Sequence, residues 1–143
     1  MTSGTVLALP SHDPSEQRLL SAFVSAQAGV HVVEPVAGPP EALVARVCAS
    51  ISRAAPADPL VIVAVGTGAL MLPGVALSQR SLHRRVAEYV LIEPAIPPVT
   101  DAWPDAPVIV LTDAPAGDAS TLARLRGWTV LPLDGAAAWR LSP

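Results

Sequence analysis

The chain has 143 residues, which is the usual size of one domain and too short for two. Hydrophobic residues make up 51% of it, aromatic residues 3%, and the formal net charge at pH 7 is −3. This mildly acidic balance argues against nucleic-acid binding, which requires a basic face. We therefore predict a single domain, residues 1–143, with a core of small aliphatic side chains.

Targeting and membrane signals are missing from the sequence. The start, MTSGTVLALP, has no basic segment followed by a long apolar one, as a secretion signal would have. Residues 59–79 are uncharged over the length of a membrane span, but glycines and prolines divide them into a strand and a helix. The single cysteine, Cys48, is expected as buried filler in a reducing cytoplasm. We therefore expect a soluble, cytoplasmic protein with no membrane partner, and the lysine-free, proline-rich composition is typical of a bacterium with a GC-rich genome.

Short apolar runs alternate with helical segments along the chain. The apolar residues of these runs are continuous, which is typical of parallel strands covered on both faces. Strands are predicted at residues 5–9, 30–34, 60–65, 88–93, 108–112 and 129–133.

The first predicted helix has a readable beginning. Asp13 is its expected N-cap, Pro14 suits the first helical position, and Glu16 completes a capping box. Leucine, phenylalanine and valine side chains then fall on one face, and Gly29 can end the helix.

Three further helices follow from apolar periodicity. The second carries an apolar stripe along residues 43–51. The third runs from Gly68 to about Arg85, bent or delayed at Pro73. The fourth is capped by Asp118 and closed by Gly127.

The alternation of strands and helices predicts an α/β fold with right-handed crossovers. The expected architecture is a three-layer α/β/α sandwich around a mostly parallel sheet of about six strands. The segment 94–107 contains five prolines, so it cannot form a regular element and is expected as a functional or covering loop.

A ligand crevice is expected where the winding of the sheet reverses, beyond the carboxyl ends of the first and third strands. The loops PSHDP and VGTGA meet there, which makes His12 and Thr67 neighbours. A dinucleotide fingerprint would need a third glycine where Met71 stands, and a phosphate P-loop would need a lysine. A nucleophile elbow with Thr67 at its apex is the remaining interpretation.

The segment VIVAVGTGALMLPGVALSQRSLHRRVAEYVLIEPAIPP resembles the elbow, following helix and next strand of the α/β-hydrolases. The segment APVIVLTDAPAGDASTLARLRGWTVLPLDG is similar to the last two strands of that family. The resemblance covers most of the chain and implies a minimal α/β-hydrolase-like core. It places Thr67 where the family has its serine nucleophile and Asp113 where it has its acid.

The sequence departs from that family at its general base and its cap. No histidine follows His83, so the histidine expected after the last strand is missing, and only the proline-rich loop stands where the cap would be. A hydroxyl without a base is a poor nucleophile. His12, oriented by Glu93 or Asp13, is the candidate replacement; the alternative is that His12 is a solvated loop residue.

Eight residues form the predicted site. The catalytic candidates are Thr67, His12 and Asp113, and the ligand-binding candidates are Ser11, Gly66, Gly68, Glu93 and Trp103. Trp103 either stacks on a ligand over the crevice or plugs the core. The histidines are scattered and the cysteine is single, so neither a metal nor another cofactor is predicted.

Three functions stay open. In the first, the crevice binds a small organic or acyl ligand and the protein has no standard catalytic triad. The protein would then act in a bacterial biosynthetic pathway, and any reaction would be non-hydrolytic. The second is an unconventional hydrolase or acyltransferase that uses Thr67 with His12. The third is a non-catalytic structural or interaction subunit, because a mean hydropathy of +0.47 predicts exposed apolar surface. A homodimer is the simplest partner arrangement.

Overall fold

The structure, a computed structural model, describes residues 4–25, 29–34 and 39–133. Six strands form one sheet that is parallel throughout, with the order β2-β1-β3-β4-β5-β6. The predicted α/β sandwich is therefore confirmed. The strands are β1 (Thr5–Ala8), β2 (Val30–Val32), β3 (Leu60–Val65), β4 (Val86–Ile92), β5 (Val108–Thr112) and β6 (Thr129–Pro132).

The helices are α1 (Pro14–Ser25), α2 (Pro40–Ala54), α3 (Leu72–Ser81) and α4 (Asp118–Leu125), and a 3₁₀ helix covers Gly66–Met71. Buried side chains of α2, α3 and α4 belong to one apolar cluster, on one face of the sheet. Leu20 and Phe23 of α1 belong to the cluster on the opposite face. Within the described ranges, α1 is the single helix on its face, and no helix there is long and apolar enough to cross a bilayer.

The start of α1 confirms only half of the predicted capping box. Asp13 Oδ1 accepts hydrogen bonds from the amides of Ser15 at 2.8 Å and Glu16 at 3.1 Å, so Asp13 is the N-cap. Hydrogen bonds from the Ser15 hydroxyl and from these amides lower the pKa of Asp13. The Asp13 amide donates to Ser11 Oγ at 3.3 Å instead of to the Glu16 carboxylate. Glu16 is thereby free to contact another part of the chain.

The third helix differs from its prediction at both ends. The chain first forms the 3₁₀ helix, and α3 begins at Leu72 because Pro73 fits the first helical turn. At the other end, His83 has a left-handed φ of 59°, which ends the helix before Arg85. Strand β4 consequently begins two residues earlier than expected, at Val86.

The cap of α4 also lies one residue from its predicted position. Gly117 is the cap residue and Asp118 is the first helical residue, without a side-chain capping bond. Gly127 closes the helix with φ +79°, as predicted.

The segment 94–107 forms no helix or strand, as predicted. It packs on the face that carries α2, α3 and α4 through Trp103, which is 0% exposed. The Trp103 ring lies edge-on to Tyr89, with ring centroids 5.8 Å apart, and to Trp128, with centroids 5.3 Å apart. The loop thus covers the sheet where a crossover helix would otherwise lie.

Candidate functional site

The strand order makes β1 and β3 neighbours and puts the reversal of winding between them, as predicted. The loops that follow these two strands enclose a pocket of about 190 Å³. His12 and Thr67, the predicted neighbours, both line it. The other lining residues are Pro10, Ser11, Leu43, Gly68 and Met71.

A sharp turn after β3 presents Thr67 at its apex. Val65 is extended, with φ −121° and ψ 134°, whereas Gly66 has φ +56°, which glycine adopts at little cost. A Cβ atom on Gly68 would lie 3.2 Å from the Pro10 carbonyl oxygen, so this glycine permits close approach of the loop after β1. The Thr67 side chain is left exposed to solvent.

The Glu16 carboxylate, from the first turn of α1, holds this apex. Glu16 Oε1 accepts a hydrogen bond of 2.7 Å from the Thr67 hydroxyl, and the Thr67 amide lies 3.1 Å from each carboxylate oxygen. The Ser11 hydroxyl donates to Glu16 Oε1 at 2.6 Å. A Cβ atom on Gly66 would overlap Glu16 Oε2, so the carboxylate occupies the space that a side chain would need. We call Ser11, Glu16, Gly66 and Thr67 the carboxylate clamp.

Sequence reasoning missed Glu16 as a site residue because its spacing from Asp13 fits a local capping role. The signal that could have found it is topological. The amino end of α1 follows β1 and the elbow follows β3, so the predicted reversal already brings first-turn side chains of α1 towards Thr67.

His12 is exposed at the pocket. In the described part of the chain, the hydrogen bonds of Thr67 run to Glu16, and none joins it to His12. The role of His12 as a base stays a prediction.

Glu93 and Asp113 lie together at the same edge of the sheet, where Glu93 lines a second hollow. Glu93 has a left-handed φ of 45°, and its Oε1 accepts a hydrogen bond of 2.5 Å from the Asp113 amide. Glu93 also lines a pocket of about 170 Å³ beside the start of α4. The structure therefore brings Asp113 to Glu93, and neither residue lines the pocket around Thr67.

Of the other predicted site residues, Trp103 is packed in the core, and it lines neither of these pockets. Among residues 4–25, 29–34 and 39–133, no group of three or more His, Cys, Asp or Glu side chains is placed to hold a metal ion. Cys48 is partly buried against the core.

The sequence matches no known protein family, and no curated protein is significantly similar to it. The sheet and its reversal define an α/β fold with two hollows at the carboxyl edge. The resemblance to the α/β-hydrolases stays a prediction from the elbow sequence and the order of elements.

Proposed function

We propose that this protein is an α/β-hydrolase-like ligand-binding protein. Its crevice between β1 and β3 takes up a small organic or acyl ligand without hydrolysing it. The observation that carries the proposal is the carboxylate clamp, in which Glu16 engages both the hydroxyl and the amide of Thr67.

The clamp works against hydrolysis for two physical reasons. A carboxylate is a weaker base than the imidazole that usually activates a hydroxyl nucleophile. Acyl transfer also develops negative charge on the substrate oxygen, which needs free hydrogen-bond donors and suffers from a nearby anion. Glu16 puts a carboxylate directly against the apex of the elbow.

The pocket composition favours a ligand with an apolar body and a polar end. Pro10, Leu43 and Met71 supply apolar wall, and the polar groups converge at the clamp. Drug-sized ligands usually occupy roughly 300–1,000 Å³. A volume of about 190 Å³ therefore suits a short acyl chain or one small ring.

Hydrolysis is tested with p-nitrophenyl butyrate and with a fluorophosphonate probe of hydroxyl nucleophiles. We expect neither a burst of p-nitrophenol nor a covalent adduct, and the same result for Thr67→Val. A burst or adduct that disappears in Thr67→Val would reject the non-hydrolytic proposal.

Binding is tested by ligand-observed NMR with butyrate and its methyl ester. Met71→Trp fills the pocket and is expected to abolish saturation transfer from the protein to the ligand. The matched control is Leu77→Trp, because Leu77 lies on α3 with 56% of its surface exposed and does not line the pocket. Equal transfer in the wild type and Met71→Trp would contradict binding in this crevice.

An acyltransferase or hydrolase that uses Thr67 is the second candidate. It is favoured by the 2.7 Å contact between Thr67 Oγ1 and Glu16, because a nucleophile within hydrogen-bond reach of a base is the geometry such enzymes use. Activity that is lost in both Thr67→Val and Glu16→Gln and retained in His12→Ala would establish this candidate, with Glu16 as the base.

A further inference from the structure

A basic hollow lies at the opposite edge of the sheet from the crevice. It has a volume of about 300 Å³ and is lined by Arg80, His83, Arg84, Arg85, Val86 and Asp105. Val86 begins β4, so the hollow adjoins the amino end of a central strand. Three of the nine cationic side chains of this acidic chain meet there.

The three arginines of the hollow are held by different parts of the fold. Arg84 Nη1 donates to Oε1 of the fully buried Gln79 at 3.2 Å, and the Arg84 amide donates to the Gln79 carbonyl at 2.9 Å. Arg80 Nη1 donates to the Asp101 carbonyl at 3.3 Å. The Arg85 carbonyl accepts from the Leu60 amide at 2.8 Å, which fixes its backbone to β3. Two of the three guanidinium groups, those of Arg80 and Arg84, are therefore held by hydrogen bonds beside the hollow, and the backbone of Arg85 is fixed there.

The three guanidinium groups of the hollow outnumber its one carboxylate, Asp105. The Asp105 carboxylate accepts a hydrogen bond of 2.6 Å from the Tyr89 hydroxyl. Within the described residues, no ion pair joins Arg80, Arg84 or Arg85 to an acidic side chain. The negative end of α3 favours a cation at this point, but it does not require three guanidinium groups around a concave space.

We propose that the basic hollow is a binding site for the phosphate group of a small ligand, either inorganic phosphate or a phosphate monoester. Guanidinium groups suit this role because their N–H groups match the geometry of phosphate oxygens and remain charged at any physiological pH. The three arginines lie around one hollow of about 300 Å³, which is room for a single small anion. The site is independent of the crevice, because it lies at the other edge of the sheet.

Isothermal titration calorimetry at low ionic strength, with inorganic phosphate and with glycerol 3-phosphate as the two probes, tests the site. Glycerol is the unphosphorylated control. Saturable binding of one anion per chain is expected for at least one probe, and tighter binding of the ester would assign a monoester as the ligand. No saturable heat with either probe would overturn the proposal.

The variants locate the binding. The double substitution Arg84→Gln and Arg85→Gln is expected to weaken binding by about tenfold or more, since each charge-assisted hydrogen bond contributes strongly. The single substitution Arg85→Gln should give a smaller loss of affinity. The Arg85 side chain makes no hydrogen bond or ion pair with the described residues, so this variant tests the site even if the double variant misfolds. Asp105→Asn removes the one negative charge and should tighten binding.

The control is Arg53→Gln, because Arg53 is an exposed arginine in the last turn of α2 and does not line the hollow. Binding should be unchanged in this variant. Equal weakening by Arg53→Gln would mean that the overall charge, rather than the hollow, attracts the anion, and would also overturn the proposal. Circular dichroism of each variant confirms that the fold is retained.

Discussion

At the scale of single residues, the carboxylate of Glu16 is the most connected side-chain group of the crevice. It accepts from the Thr67 hydroxyl, the Thr67 amide and the Ser11 hydroxyl. The contacts with Thr67 join α1 to the elbow across 51 positions of sequence. Glu16 therefore contributes to stability as well as to the chemistry of the pocket.

Replacing Glu16 tests this structural contribution. Glu16→Ala removes the shared acceptor and is expected to lower the free energy of unfolding by about 1–2 kcal/mol, because water partly replaces the lost bonds at this exposed apex. Urea unfolding measures the change. Glu34→Ala, at an exposed position, is the control and should stay within about 0.5 kcal/mol of the wild type. An equal loss in both variants would remove the special role of Glu16.

The partly buried Glu88 on β4 is expected to make the stability of the protein depend on pH. Its Oε1 is buried without a hydrogen-bond partner among the described residues, and burial raises the pKa of Glu88 above the ordinary value of 4.5. The folded chain therefore holds this proton more tightly than the unfolded chain does. Stability falls as the pH rises above 4.5, until Glu88 has also lost its proton in the folded chain.

The isosteric change Glu88→Gln is expected to remove this loss of stability. At pH 7 the variant should be more stable by at most about 1 kcal/mol, since the side chain is only partly buried. The advantage should shrink as the pH is lowered towards 4. Thermal melts at several pH values measure it, with Glu34→Gln as the exposed control. A difference that is constant with pH would show that the charge of Glu88 is not its source.

Sequence reasoning at this scale succeeded where local geometry decides the outcome. Asp13 caps α1 because its carboxylate needs only the two amides that follow it. The side chain of Glu16 could complete the local capping box with Asp13 or reach a distant residue, and the distant contact with Thr67 forms. Trp103 likewise had two options, and packing against Tyr89 and Trp128 places it in the core. Contacts between residues far apart in sequence cannot be ranked from spacing alone.

At the scale of elements, the elbow between β3 and the 3₁₀ helix depends on the absence of a side chain at Gly66. Its φ is +56°, and a Cβ atom there would overlap the Glu16 carboxylate. Gly127 has a similar φ of +79°, but a Cβ atom on Gly127 would meet no other atom within 4 Å. Comparing substitutions at the two glycines therefore distinguishes the cost of backbone strain from the cost of steric overlap with Glu16.

We expect Gly127→Ala to cost about 1 kcal/mol from the left-handed backbone alone. Gly66→Ala should cost more than about 2 kcal/mol, because Glu16 must also move. Chemical denaturation measures both. In the Glu16→Ala background the additional cost of Gly66→Ala should fall towards that of Gly127→Ala. Strict additivity of the two substitutions would contradict the steric explanation.

The elements themselves were largely predictable, because six apolar runs and their turn residues fixed the sheet. The residues at which the helices and strands begin and end were less predictable. The sequence predicts the third helix from Gly68 to about Arg85, whereas the structure has a 3₁₀ helix and then α3 at Leu72–Ser81. Apolar periodicity continues across both forms of helix, so it did not distinguish them. The left-handed turn at His83 has no marker in residue type, since glycine is the usual choice there.

At the scale of the whole molecule, the expected homodimer stays a prediction. Several large apolar side chains are exposed, and among them Leu125 of α4 is 80% exposed. Exposed apolar surface of this kind is often covered in an assembly. Multi-angle light scattering over a range of concentrations should give a mass of two chains, about twice 14.7 kDa. A mass of one chain at every concentration would contradict the prediction.

The unequal covering of the two sheet faces has a consequence for local opening. Within the described ranges, α2, α3 and α4 share one face, while α1 is alone on the other and its amino end is tied to the elbow through Glu16. Fraying of α1 therefore separates few helix–helix contacts and breaks the contacts of Glu16 with Thr67 at the same time. The amides of α1 should exchange with deuterium sooner than those of α3, and the apex of the elbow should lose its Glu16 acceptor in the same motion.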